Sequence, residues 1–202
     1  MFLDGNRFLA LALSLCVVTG CKDGDDKAGS EAAEAVEAPS PPRAMGQGWT
    51  LRQEGTQYVA SNDAYSLRLP TKPDVRATAT ELHVRSKSAD GKTEYGFYFA
   101  VAPKDRPFDG DRAAEIGITA FGQTFDLMLG PAAEKTKRLG VPARDFNGAY
   151  SGGGAMQEIH GTSLADPASK TVLVVFAFRP EKTDPSTTQP FLDSLAAATR
   201  RP

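Results

Sequence analysis

Seven consecutive apolar residues, from Val172 to Phe178, constrain the fold of this chain more than any other segment. Charged residues bound the run at Lys170 and Arg179, so it has the length of a strand. A strand without alternating polar residues is typically buried on both faces. The run therefore predicts a central strand that is covered on both faces of its sheet.

Alternating segments earlier in the chain predict further strands. Residues 65–69 alternate apolar and polar side chains and stop at a proline, which favours a half-buried strand. Leu82 and Val84 repeat the alternation, and residues 88–92 supply a turn. The next segment places four apolar side chains on one face: Tyr95, Phe97, Phe99 and Val101. The two segments around the turn predict a β-hairpin.

A long amphipathic helix is predicted after this hairpin. Asp109 and Asp111 supply carboxylates suited to a helix N-cap. Apolar residues then recur at spacings of three and four: Ala114, Ile118, Phe121, Phe125 and Met128. The helix is expected to run for about five turns and to end at Gly130–Pro131.

The remaining pattern predicts more strands and a closing helix. Extended segments are expected at residues 135–139, 143–150 and 155–163, with a corner at 140–142 and turns at 151–154 and 166–169. A last helix is expected to begin near Thr187 or Thr188, with Pro190 in its first turn. It would present Phe191, Leu192, Leu195 and Ala196 to the core. The predicted fold is α+β, an antiparallel β-sheet with a central amphipathic helix and a C-terminal helix packed on it.

The N-terminus resembles the signal peptide of a bacterial lipoprotein. One arginine precedes an apolar stretch from Phe8 to Val18, and two small residues stand directly before Cys21. In lipoproteins with such a signal, the cysteine is acylated and becomes the first mature residue. The resemblance therefore implies removal of residues 1–20 and lipidation of Cys21.

Other interpretations of this segment fit its residues less well. The apolar stretch is 11 residues long, whereas a membrane-spanning helix needs about 20. Cys16 is a rival acceptor, but Leu15 precedes it where the acylation pattern has Gly, Ala or Ser. An ordinary secretory signal is the alternative, and it would leave Cys21 as a free thiol in an oxidising compartment.

The sorting rule of enterobacterial lipoproteins suggests which membrane would hold the anchor. Lys22 follows the cysteine, in place of the Asp that retains such lipoproteins at the inner membrane. The resemblance therefore favours a lipid anchor in the outer membrane, with the protein facing the periplasm of the cell envelope.

The segment after Cys21 is expected to be a spacer. Residues 22–48 are rich in Asp, Glu, Ala, Gly, Ser and Pro, a composition typical of disordered acidic linkers. Residues 49–202 then have the size of one folded domain. From residue 50 onward the chain carries 19 Lys and Arg against 18 Asp and Glu, so it lacks the basic field typical of nucleic-acid binding.

The order of these segments resembles the PsbP-like fold, an antiparallel sheet with helices packed against it. This fold is shared by the photosystem accessory protein PsbP, Mog-type Ran-binding proteins and several small bacterial lipoproteins. The segments that carry the resemblance are residues 65–70, 95–101, 140–143 and 191–195. It implies an accessory, binding or assembly role without a shared catalytic set.

Few residues suggest catalysis or metal binding. His83 and His160 both fall on the polar phase of predicted strands, which favours surface or edge positions. They would offer a metal site if their strands were neighbours, although no cysteine or carboxylate at ligand spacing accompanies them. Residues 151–154, Ser-Gly-Gly-Gly, lack the further residues of a phosphate loop or a nucleophile elbow, which favours a flexible hairpin.

Carboxylates and aromatic residues have similarly ordinary explanations. Asp109, Asp111 and Glu115 suit helix capping better than a cation site, because they stand at a helix start. The aromatic residues at 95–99 are expected in the core rather than in a stacking platform. Trp49 is expected to cap the sheet, and an exposed Trp49 would mark a contact surface.

These observations favour a membrane-anchored envelope lipoprotein that acts without catalysis, as an accessory, assembly or binding factor. Its expected partners are the lipid bilayer, through acylated Cys21, and an envelope protein, with no cofactor, metal or nucleic acid. The alternative is a small-ligand-binding or hydrolytic enzyme with a site at the sheet edge, near residues 151–154 or His160. A third interpretation is a purely structural spacer protein, with neither a pocket nor an exposed apolar patch.

Overall fold

The computed structural model describes residues 41–130, 134–152 and 155–196. The strands in this part of the chain are β1 Arg43–Gly46, β2 Trp49–Glu54, β3 Gln57–Ser61, β4 Ser66–Leu69, β5 Asp74–Ala77, β6 Glu81–Lys87, β7 Glu94–Val101, β8 Met128–Leu129, β9 Lys135–Arg138, β10 Val141–Gly152, β11 Ala155–Asp166 and β12 Thr171–Pro180. The helices are α1 Gly110–Phe125 and α2 Gln189–Ala196, and a short 3₁₀ turn, Pro185–Thr187, precedes α2.

The larger of two sheets has the order β5-β6-β7-β12-β11-β10, and both β8 and β9 pair with β10. Every strand pair among the described residues is antiparallel. Strand β12 lies between β7 and β11, and residues 173–179 are all buried. This confirms the central strand that the apolar run predicts. The hairpin of β6 and β7 around residues 88–92 is confirmed as well.

A smaller sheet, β1-β2-β3-β4, shares one core with the larger sheet. Trp49 of β2 is 1% exposed, and its ring lies 4.4 Å from that of Phe97 in β7. The sequence pattern predicts β4 but not β1–β3. Strand β1 lies within residues 22–48, the expected spacer, so residues 43–46 belong to the folded part of the chain.

Helix α1 packs on the other face of the larger sheet. Ile118 and Phe121 are buried against Phe146 of β10 and Phe176 of β12. Of the two predicted N-cap residues, Asp109 caps the helix: its carboxylate accepts a hydrogen bond from the backbone N–H of Arg112. Asp111 lies in the first turn.

The predicted end of α1 is wrong. The helix stops at Phe125 because Asp126 takes a left-handed conformation, with φ 53° and ψ 53°, and its N–H bonds to the Gly122 carbonyl. Met128, predicted on the apolar face of the helix, lies instead in β8 and is exposed.

Helix α2 covers part of the core shared by the two sheets. Phe191 and Leu195 are buried there and Leu192 is partly buried, which confirms three of the predicted contacts. Because α1 and α2 bury side chains in different core clusters, the helices flank opposite faces of β12. The architecture is therefore α+β, dominated by antiparallel sheet.

The later strands follow the prediction with three changes at their ends. Strand β10 continues to Gly152 instead of ending at residue 150. The turn between β9 and β10 falls at Leu139 and Gly140, both with positive φ, so residues 141 and 142 already belong to β10. Strand β11 continues to Asp166 instead of ending at residue 163.

Candidate functional site

An open apolar groove lies between α1 and the segment that connects β7 to α1. Its volume is about 680 Å³, within the range of about 300–1,000 Å³ that is typical of small-molecule sites. Its lining consists of Tyr98, residues 100–103, residues 106–109, Arg112, Ala113, Ile116, Gly117, Ala120 and Val172. We call it the α1 groove.

Small residues of α1 line one side of this groove and pack close to the sheet. Ala113, Gly117 and Ala120 follow one another at spacings of four and three, so they line one side of the helix. A Cβ atom on Gly117 would lie 2.5 Å from Cγ1 of Val172 and 2.9 Å from Oγ of Ser163. Glycine therefore permits the close approach of the helix to β11 and β12.

Backbone and side-chain hydrogen bonds hold the outer wall of the α1 groove. The Lys170 ammonium donates to the carbonyl oxygens of Lys104, at 2.6 Å, and Arg106, at 3.0 Å. The Ala102 N–H donates to the Lys170 carbonyl at 2.9 Å, and the Arg106 N–H donates to that of Pro103 at 3.3 Å. The wall is thus tied to the turn before β12.

The mouth of the α1 groove combines an exposed apolar side chain with two cations. Ile116 is 55% exposed, although it is a large hydrophobic residue. Arg106 and Arg112 are exposed, and neither guanidinium pairs with a carboxylate among the described residues. An apolar floor with free positive charge at its rim suits a ligand that is apolar at one end and anionic at the other.

Tyr98 lines the groove from the sheet, and its hydroxyl lies in a small polar cluster. The hydroxyl donates to Oε1 of Glu81 at 3.0 Å, and Nε2 of His83 lies 3.4 Å from Oε2 of the same carboxylate. Burial, and then the hydrogen bond to Glu81, raise the pKa of the Tyr98 phenol. The phenol therefore remains protonated at neutral pH and donates its hydrogen bond to Glu81.

A second groove, of about 420 Å³, separates α2 from β10 and β11 and is more polar. Within it, the Arg138 guanidinium donates two hydrogen bonds to Asp145, at 3.1 and 2.7 Å. Asp193 accepts a hydrogen bond from the Gln189 amide at 2.7 Å, and His160 also lines the groove. We call it the α2 groove.

His160 belongs to an ion-pair cluster on β11 and β12. The Arg179 guanidinium donates to Oε2 of Glu158 at 2.7 Å, and its Nη2 lies 3.0 Å from Nε2 of His160. Arg179 is only 4% exposed, so its buried positive charge requires the Glu158 carboxylate as a compensating partner. Arg179 in turn holds the pKa of Glu158 below its usual value.

The two histidines do not meet. His83 is on β6 and His160 on β11, with β7 and β12 between these strands. His83 opposes Tyr98, which packs on the α1 side, whereas His160 lines the α2 groove. The paired metal site is therefore excluded. The expectation that no carboxylate accompanies the histidines is wrong, because Glu81 lies 3.4 Å from His83 and Glu158 lies 3.7 Å from His160. The described residues contain no cluster of three or more side chains that could hold a metal ion.

The carboxylates near the start of α1 each have a structural partner. Asp109 caps the helix, Asp111 lies 3.1 Å from the Lys135 ammonium, and Glu115 lies 3.2 Å from the Arg144 guanidinium. The capping interpretation of Asp109 is confirmed, and the other two anchor the helix to β9 and β10.

The aromatic candidates lie in the core, as expected. Phe97 and Phe99 are buried between the sheets, and Tyr95 is partly buried beside them. Trp49 is buried, so it marks no contact surface. Ser151 and Gly152 are the last residues of β10, whereas residues 153 and 154 lie outside the described residues, as does Cys21.

No protein-family model matches this chain, and no curated protein matches its sequence. Among the described residues, no helix is both long enough and apolar enough to cross a membrane.

The α1 groove was missed at the sequence level. The signal available was the run of small residues at 113, 117 and 120 on the helix, together with an isolated Ile116 on its polar side. Neither feature indicates a groove until the connecting segment is placed beside the helix.

Proposed function

We propose that this protein is a lipid-anchored lipoprotein of the cell envelope, with a PsbP-like domain that acts without catalysis as a binding or accessory factor. The observation that carries the proposal is the open α1 groove with the exposed Ile116 at its mouth. Exposed apolar surface in a concave site is typical of surfaces that bind another molecule.

The anchor is proposed from the sequence. Acylation of Cys21 would attach the chain to the outer membrane, and the residues from 22 to the first strand would serve as its tether. Two or more acyl chains make such an anchor stable, because a single chain binds a bilayer only marginally. In this arrangement the α1 groove would meet other components of the envelope.

The binding role can be tested in intact cells with a photo-crosslinking amino acid. We would place it at Ile116 and, as a matched control, at Arg68, which is exposed on the smaller sheet. The proposal predicts a discrete adduct in the envelope fraction from position 116 and none from position 68. Equal labelling at both positions, or no adduct at position 116, would contradict a binding role for the groove.

A second candidate function uses the α2 groove. His160, Asp145 and Asp193 line this groove together. An imidazole and two carboxylates in one concave site are groups that a small-ligand-binding or hydrolytic enzyme could use. Turnover of ester or phosphoester substrates by the wild type, lost in His160→Gln, would support this alternative. Equal activity of the two proteins would remove it.

A further inference from the structure

We propose that the α1 groove binds a fatty acid, with its single acyl chain along the apolar floor and its carboxylate at Arg106 and Arg112. The inference rests on the proposed function, because it names the ligand of the same groove. It commits to a carboxylate at the end of one hydrocarbon chain, and it does not depend on catalysis.

The floor of the groove suits a hydrocarbon chain. Ala113 and Ala120 of α1 present only methyl groups to the groove, while Phe108, Val172 and Ile116 supply apolar surface. The polar Tyr98 hydroxyl in the lining is already bound to Glu81. A hydrocarbon chain has no hydrogen-bonding groups, so its burial in the groove leaves no polar atom of the ligand unsatisfied. It also leaves the Tyr98 hydroxyl bound to Glu81.

The rim suits a carboxylate. Arg106 and Arg112 have no carboxylate partner among the described residues, and a guanidinium can donate two parallel hydrogen bonds to a carboxylate. Asp109 also lines the groove, but its Oδ1 accepts from the backbone N–H of Arg112, and its carboxylate forms no ion pair with either guanidinium among the described residues. The carboxylate of the ligand would thus be the anionic partner that these two guanidinium groups lack among the described residues.

The shape and the rim charge of the groove together favour one acyl chain over a docked protein helix. A docked helix would cover the open groove with an apolar stripe but would not by itself place an anion at the rim. One extended acyl chain needs no internal hydrogen bonds and can follow the groove along its length. A fatty acid is therefore the occupant that both the shape and the charge favour.

The test is a calorimetric titration of the full chain carrying Cys21→Ala, without detergent, with dodecanoate below its micelle concentration. We expect saturable binding of one molecule per chain. Dodecanol, which lacks the charge, should bind at least about tenfold more weakly than dodecanoate. Decanoate should also bind more weakly, since each buried methylene strengthens binding by up to about fourfold.

A pair of double variants assigns the site. Arg106→Gln with Arg112→Gln should weaken dodecanoate binding by about tenfold or more. Arg43→Gln with Arg68→Gln removes the same charge from exposed positions on the smaller sheet and should leave the affinity unchanged. Absence of saturable binding, equal affinity for the acid and the alcohol, or no effect of the groove variants would overturn the inference.

The result is distinguishable from failure of the proposed function. If dodecanoate does not bind while position 116 still yields an adduct in cells, the fatty acid is the wrong ligand and the binding role stands. A protein-sized adduct would then identify a polypeptide occupant. If dodecanoate binds as expected but wild-type Cys21 carries no lipid, the ligand assignment stands and the anchor is wrong.

Discussion

The Lys170 ammonium lies 3.0 Å from the carbonyl oxygen of Arg106 and donates a hydrogen bond to it, across 64 residues of sequence. Lys170 itself adopts a left-handed conformation, with φ 52°, in the turn before β12. A strained turn on one side of the sheet therefore holds the outer wall of the α1 groove, and the shape of the groove depends on a residue that does not line it.

Replacement of Lys170 with Met should loosen this wall. The variant keeps a long side chain but removes both hydrogen bonds to the segment, so the backbone around Arg106 should exchange its amide hydrogens faster. Hydrogen–deuterium exchange resolved to peptides covering residues 102–109 measures the effect. Lys182→Met is the matched control, because Lys182 is exposed and also has positive φ. Unchanged exchange in Lys170→Met would show that the ammonium does not fix the wall.

Gly117→Ala should destabilise the protein, although alanine is normally the better helix former. The new Cβ would lie 2.5 Å from Val172, so the helix or the strand must move. We expect the free energy of unfolding to fall by about 1–3 kcal/mol, as for other overpacked sites. Urea denaturation compares the variant with Gln123→Ala, an exposed change in the same helix. A Gly117→Ala protein as stable as the wild type would contradict the close packing of α1.

Glu158→Gln should also destabilise the protein at neutral pH. The buried Arg179 guanidinium would lose its charged acceptor, while the amide retains most of the shape of the side chain. Because Glu158 is partly exposed, we expect a loss of about 1–2 kcal/mol. Glu181→Gln is the control, because Glu181 is exposed and directly follows β12.

The effect of Glu158→Gln should depend on pH. Arg179 lowers the pKa of Glu158 in the folded state, so the ion pair contributes fully above the unfolded-state pKa of the carboxyl group. Its contribution is lost as the pH falls through the lower, folded-state pKa. The difference in free energy of unfolding between the wild type and the variant, measured by urea denaturation at a series of pH values, should therefore shrink in acid. A difference that stays constant from neutral to strongly acidic pH would show that the charge of Glu158 is unimportant.

Patterns within single segments were enough to predict the centre of the fold. The apolar run at β12, the alternation in β7 and the spacing in α1 each report burial directly, since the same side chains form the core. Strands β1–β3 escaped prediction because they are short and mix polar residues such as Gln53 and Ser61 into half-buried positions. The end of α1 was missed because Asp126, rather than a glycine, takes the left-handed conformation.

The α1 groove depends on contacts that no local pattern reveals. Lys170 and Val172 reach it from the far end of the chain, through hydrogen bonds and strand order. Likewise, the alternation of polar residues along a strand does not predict that His83 and His160 lie on opposite faces of the sheet. The face on which each side chain lies depends on the order of the strands in the sheet. Sequence patterns therefore predicted the scaffold better than the candidate site.

The proposed anchor is tested most directly by intact mass and membrane fractionation of three proteins expressed in a bacterial host. These are the wild type, Cys21→Ala and, as the matched control, Cys16→Ala. The account predicts acyl-sized mass increments and membrane retention for the wild type and Cys16→Ala, both lost in Cys21→Ala. A soluble, unmodified wild type, or a Cys21→Ala protein that stays in the membrane, would contradict it.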